Sequence, residues 1–183
     1  MNPYKVLGIR PNASLDEIKT AYESLANTYD ISNYQGSSEE PLAEDKISEL
    51  NTICNKMITS GVDVEIDGKT EHFSYTIEDQ ANIDDIAQMA KSTNMEQSYH
   101  CDNGSCKLYT VEEITKIYMT QKMNKAHNIT YANQLKLYVK SLKEKAEVES
   151  IAYGQDLTGE YLNTYNTIME HEQSVAKAFI ATE

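Results

Sequence analysis

The chain has no tryptophan, two phenylalanines and three prolines, and its 16 lysines and arginines are outnumbered by 29 aspartates and glutamates. The net charge of -13 argues against a nucleic-acid partner, because phosphate backbones are held by a concentrated basic surface that displaces counterions. Only seven glycines are present, none in a Walker-type or dinucleotide-type loop, so no nucleotide or other small-molecule substrate is expected. No apolar run approaches the roughly 20 residues of a membrane span, so no membrane partner is expected. The opening residues MNPYKVLGIR carry neither a basic leader nor an apolar core, which predicts synthesis and folding in the cytoplasm. Cys54, Cys101 and Cys106 are an odd and small set, so reduced thiols are expected rather than a disulfide framework.

What is present is ordinary globular material, 40% hydrophobic and 25% charged, and it predicts a folded chain. Thirteen tyrosines carry most of the aromatic content. Each brings a hydroxyl that must reach water or a partner, and tyrosine enrichment also suits contact surfaces.

The patterning predicts a mainly α fold with a small β part, an α+β class. Ser14 with Glu17 three residues on reads as a capping box. Leu15, Ile18, Tyr22, Leu25 and Tyr29 then repeat at helical spacing. A second apolar face, with Ile47, Leu50, Ile53, Cys54 and Met57 behind Pro41, is expected to pair with the first as an antiparallel helix. A short opening helix over residues 3–8 completes a three-helix module, and the Ser/Glu-rich residues 31–40 read as a surface loop. After Gly61 the period changes to two. VDVEI, the turn pair Asp67-Gly68 and KTEHFSYTI predict a β-hairpin, which places a domain boundary near residue 60.

A helix comes next with Ile83, Ile86, Met89 and Ala90 on one side, then a second hairpin with Asn103-Gly104 at its tip. Thr110 with Glu113 caps a long helix reaching Leu142, with a break near Asn128 left open. A turn at Gly154 precedes a last helix with Leu162, Tyr165, Met169, Ala176 and Phe179 on one face, to pack on the body or on another subunit. Three regions result: residues 1–60, 61–156 and 157–183.

NPYKVLGI, PNASLDEIKTAYESLANTY and AEDKISELNTICNKM, over about residues 2–58, resemble the J-domain of heat-shock co-chaperones. The resemblance implies a three-helix fold. Where that family carries the His-Pro-Asp tripeptide that triggers the chaperone's ATPase, this chain has Asp30, Ile31 and Ser32. Its second helix offers Lys19 among Glu17 and Glu23 instead of a basic face. The module is therefore expected to be degenerate, kept for docking. From about residue 70 to 154, segments such as FSYTIEDQANIDDIAQMA and ITYANQLKLYVKSL are similar to an uncharacterised domain of tailed phages found beside tail-fibre genes. That similarity implies a baseplate or tail-fibre component made in the bacterial cytoplasm and carried in the virion tail.

His100, Cys101 and Cys106 are the residues with metal-ligand character. Zinc needs a fourth ligand from afar, such as His127, so plain hairpin side chains are the expectation and no metal or other cofactor is assigned. His72, His127 and His171 stand apart from any nucleophile, so no catalytic residues are expected. The stripe of Tyr118, Met119 and Met123 is expected to be core. Together these readings predict a non-enzymatic structural or adaptor protein whose partners are tail-fibre or baseplate proteins, with self-association as a further partner class. The alternatives are a tail-fibre assembly chaperone absent from the finished particle, and a co-chaperone of the host heat-shock system.

Overall fold

A computed structural model describes residue 10 and residues 13–28 and 39–181. Six helices and two small antiparallel hairpins lie among these residues, a mainly helical α+β fold. The opening helix over residues 3–8 and the substituted tripeptide at 30–32 fall outside them. No helix among the described residues is long and apolar enough to cross a membrane.

Contacts divide the chain into compact units 1–40 and 41–183. In the first, α1 (Leu15–Thr28) starts at Ser14. The Ser14 N–H donates to a Glu17 carboxylate oxygen at 2.7 Å and the Glu17 N–H to Ser14 Oγ at 3.3 Å, the expected reciprocal cap.

α2 (Glu39–Thr59) leads into the second unit. Where the patterning placed a boundary near residue 60, α2 is instead grouped with the hairpins and helices on its C-terminal side. The physical reason is its apolar stripe: Leu50, Cys54 and Ile58 are buried. Leu50 packs with Tyr131, Leu135 and Val139, while Cys54 and Ile58 join the hairpin core. These three side chains removed from water contribute on the order of 5–8 kcal/mol.

Gly61, at φ +83°, turns the chain from α2 into β1 (Val62–Ile66), which pairs with β2 (Lys69–Phe73) in the register Val62 to Phe73 and Ile66 to Lys69. Asp67 and Gly68 both take positive φ, as the two-residue turn demands. α3 (Ile77–Thr93) begins at a second capping box, Thr76 with Asp79. It buries Ile83, Ala87 and Ala90, whereas Met89, expected on that side, is 53% exposed. A hundred degrees per residue puts 83, 87 and 90 on one line and turns 89 away.

β3 (Gln97–Tyr99) and β4 (Lys107–Tyr109) form the second hairpin. At its tip only Asn103 shows the expected positive φ, 60°. Gly104 lies close to Cys101: a Cβ there would stand 2.6 Å from its Sγ, so the Cys101 side chain would have to shift.

α4 (Val111–Ser141) runs unbroken past Asn128, from a Thr110–Glu113 capping box. Its first half supplies Ile114 and Ile117 to the hairpin core, its second half Leu135 and Val139 to the other cluster. A short α5 (Lys145–Ser150) and a turn lead to α6 (Gly159–Ala181), which packs along α4 with Met169 and Ala176 buried. The last helix thus lies on the body of its own chain.

Candidate functional site

Two arrangements of polar and aromatic side chains stand out in the second unit. The larger is a cleft of about 520 Å³ at the junction of α2, α4, the turn after α5, and α6. Ile53 and Met57 come from one face of α2, and His127, Asn128 and Tyr131 from one face of α4, each set at the spacing that makes helix neighbours. Tyr153 to Leu157 form one wall, and Leu162 and Tyr165 close the cleft from α6.

Its hydroxyls are pinned. Tyr131 donates to the Gln155 carbonyl at 2.7 Å and accepts from the Gly154 N–H at 2.9 Å, a contact reached because Gly154 adopts φ +97°. Tyr153 donates to Asn128 Oδ1 at 2.9 Å, and the Asn128 amide in turn donates to the Asn124 carbonyl one turn back at 2.8 Å. The Cys54 thiol donates to the Asn128 carbonyl behind them. His127 Nδ1 and the Tyr165 hydroxyl share one hydrogen bond of 2.6 Å across the α4–α6 junction.

The rings pack against each other, Tyr131 edge-on to Tyr153 at 5.1 Å and His127 edge-on to Tyr165 at 5.7 Å. Burial pushes the Tyr131, Tyr153 and Tyr165 hydroxyls up, Tyr153 also feeling the Cys54 thiol. Phenols raised in this way stay protonated at neutral pH and are poor bases. Among the described lining residues there is no Ser, Thr or Cys, so the acyl-transfer arrangement of nucleophile, base and orienting group is not assembled there.

The smaller arrangement stitches the two hairpins together. His72 Nδ1 faces an Asp63 carboxylate oxygen at 2.6 Å, its Nε2 faces the Ser60 carbonyl at 2.7 Å, and Asp102 lies 3.9 Å away. Asp102 accepts from the Ser74 N–H at 3.1 Å and the Ser74 hydroxyl at 2.5 Å, while its own N–H donates to the His72 carbonyl. Glu71 receives the Lys107 ammonium and, at 2.7 Å, the Tyr109 hydroxyl. Ser74 donates to a carboxylate rather than to the imidazole, so this is a structural clasp and not a relay toward a nucleophile.

Because both ring nitrogens face acceptors, Asp63 first and then the Ser60 carbonyl raise the His72 pKa above 6.5. The raised folded pKa adds stability that is fully present below about pH 6.5 and is lost as pH rises through the higher folded value. His72 is 43% exposed, so solvent screening keeps the effect below about 1 kcal/mol. The thermal midpoint is expected to drop slightly between pH 6 and 8.5, and His72→Asn to remove that slope, as read by calorimetry across the range.

The residues weighed as metal ligands are not gathered. Cys101 and Cys106 are free thiols, half-buried and exposed, His100 stacks on Tyr99 at 5.6 Å, and His127 is engaged with Tyr165. Among the described residues no group of three or more His, Cys, Asp or Glu side chains is placed to hold a metal ion. His171 is exposed on α6. Met119 and Met123 do not enter the main core but line a shallow surface pocket with Val175 and Phe179 of α6.

The patterning singled out Tyr165 as a helix-face residue but missed Asn128, Tyr131, Tyr153 and Asp156 as a group. Their one visible mark was the excess of tyrosine. Compared with known proteins, residues 41–155 match the family model described as a domain of unknown function (DUF4376). No solved structure matches the chain.

Proposed function

The chain belongs to the DUF4376 family, a domain of unknown function matched from within α2 to Gln155 in the wall of the tyrosine cleft, and we propose that it is a non-enzymatic adaptor that works by protein docking. The observation that carries this reading is the cleft: a concave, aromatic-lined surface of about 520 Å³ whose phenols are held by hydrogen bonds and kept protonated. Rigid tyrosines in a pocket are the anchors protein interfaces use, because their area is gained with little loss of side-chain freedom.

The proposed setting is a tailed-phage tail or phage-like particle, at the baseplate or tail fibre. It is supported by the similarity of residues 70–154 to the uncharacterised domain of tailed phages. Of the J-like stretch, residues 1–40, which lie outside the second unit, are proposed as a second docking element, supported by the capped helix α1 and by the substitution of the trigger tripeptide. Proteomics of purified particles tests the reading. The chain is expected in stoichiometric amount, and Tyr153→Ala is expected to deplete it from particles by tenfold or so, the effect of losing an anchor of about 1–2 kcal/mol. A chain essential for assembly yet absent from particles would instead be an assembly chaperone. Stimulation of the heat-shock ATPase by the full chain would make it a co-chaperone.

A further inference from the structure

Resting on the docking reading, we propose that the tyrosine cleft takes a lysine or arginine side chain from a basic segment of its partner protein. Among the described residues that line it, Asp156 is the one carboxylate and no lysine or arginine is present. Asp156 is exposed and stands in the wall of the cleft beside Gln155, whose carbonyl holds the Tyr131 hydroxyl.

The Tyr131 and Tyr153 protons are already donated within the wall, to the Gln155 carbonyl and to Asn128 Oδ1. Tyr165 and His127 share one hydrogen bond, so the pair holds one further N–H or O–H beyond it. An anion entering the cleft would meet the Asp156 carboxylate and, at Tyr131 and Tyr153, hydroxyls whose protons are already committed, which replaces its hydration poorly. A cation meets the reverse: aromatic rings with negative faces, and a carboxylate at the rim. Tyr153 and Tyr165, both half-buried, are among the rings that line the cleft.

The overall charge acts in the same direction. At -13, the chain attracts basic partners over a distance and repels a second copy of itself. The cleft falls within the range of sites that take small ligands, and it accommodates one long cationic side chain with its flanking backbone.

The test uses the full chain with labelled tyrosine rings and tracks their NMR signals during titration with acetyl-arginine methylamide, acetyl-lysine methylamide and acetyl-glutamine methylamide. The expected result is movement of the Tyr131, Tyr153 and Tyr165 signals with the two cations, weakened about threefold in Asp156→Asn and again by added salt. The melting temperature of Asp156→Asn should equal that of the parent. Equal shifts with the neutral glutamine probe would overturn the cationic assignment while leaving docking at the cleft in place. No shift with either cation would also overturn it, and the docking reading would then be judged by incorporation of the Tyr153→Ala variant into particles.

Discussion

Gly61→Ala is expected to destabilise the second unit by about 4 kcal/mol or more, a large share of the roughly 5–15 kcal/mol that holds an ordinary domain folded. Gly61 sits at φ +83°, and a Cβ there would lie 1.9 Å from the Phe73 carbonyl oxygen and 2.6 Å from the Ser74 Cα. Those neighbours are backbone, so no side-chain rotation relieves the clash. The strand that must move carries Phe73, 1% exposed and packed between Tyr99 and Tyr109 at ring separations of 6.0 Å. Gly68→Ala is the internal control. It shares a positive φ, 75°, but nothing lies within 4 Å of its added Cβ. Its cost should be only the backbone term of about 1 kcal/mol. Urea unfolding of both variants checks the pair, and equal midpoints would show that the close approach at Gly61 is not tight.

A fragment of residues 61–183 is expected not to fold cooperatively, whereas residues 39–183 should. Removing α2 strips Leu50, Cys54 and Ile58 from their clusters. It also removes the Lys46 ammonium from the Ile151 carbonyl, a 3.1 Å contact, and Asn51 from Lys136 at 2.8 Å. The lost apolar burial alone is about 5–8 kcal/mol, the same order as the whole stability of such a domain. Calorimetry of the two fragments reads this directly. A sharp transition in the shorter one would return α2 to the segment before it.

The grouping of α2 marks where local pattern stops being informative. Its apolar spacing is plain from Ile47 to Met57, but spacing says that a face is buried and not what buries it. Spacing does not reveal that Leu50 packs with Tyr131 and Leu135 some eighty residues on. Features decided within a few residues are legible. The Asp67-Gly68 turn, the strands around it and the caps at Ser14 and Thr110 depend on torsions and hydrogen bonds between near neighbours. The Thr76–Asp79 cap is harder to see because aspartate stands where glutamate is the usual partner.

Long-range polar burial is not legible either. Gln121 is fully buried with its amide on the Ser74 carbonyl at 2.9 Å, and Asn128 is 2% exposed under Tyr153. In the sequence both are polar residues within a long helix, where a solvent-facing position is the ordinary expectation. The candidate site shares that character. Its walls come from four elements spread over residues 53–165, and no short motif connects them.

Docking through this cleft is the central claim, and site-specific photo-cross-linking in particle-producing cells addresses it without relying on a loss of function. Leu162 lines the cleft and is 38% exposed, while Leu108 on the second hairpin is 64% exposed and lies outside it. With a photoreactive phenylalanine at 162, docking through the cleft predicts a covalent adduct to one tail-fibre or baseplate protein, identified by mass spectrometry and lost when Tyr153→Ala is added. An adduct to that protein from position 108 but none from position 162 would place the docking surface elsewhere and contradict the claim.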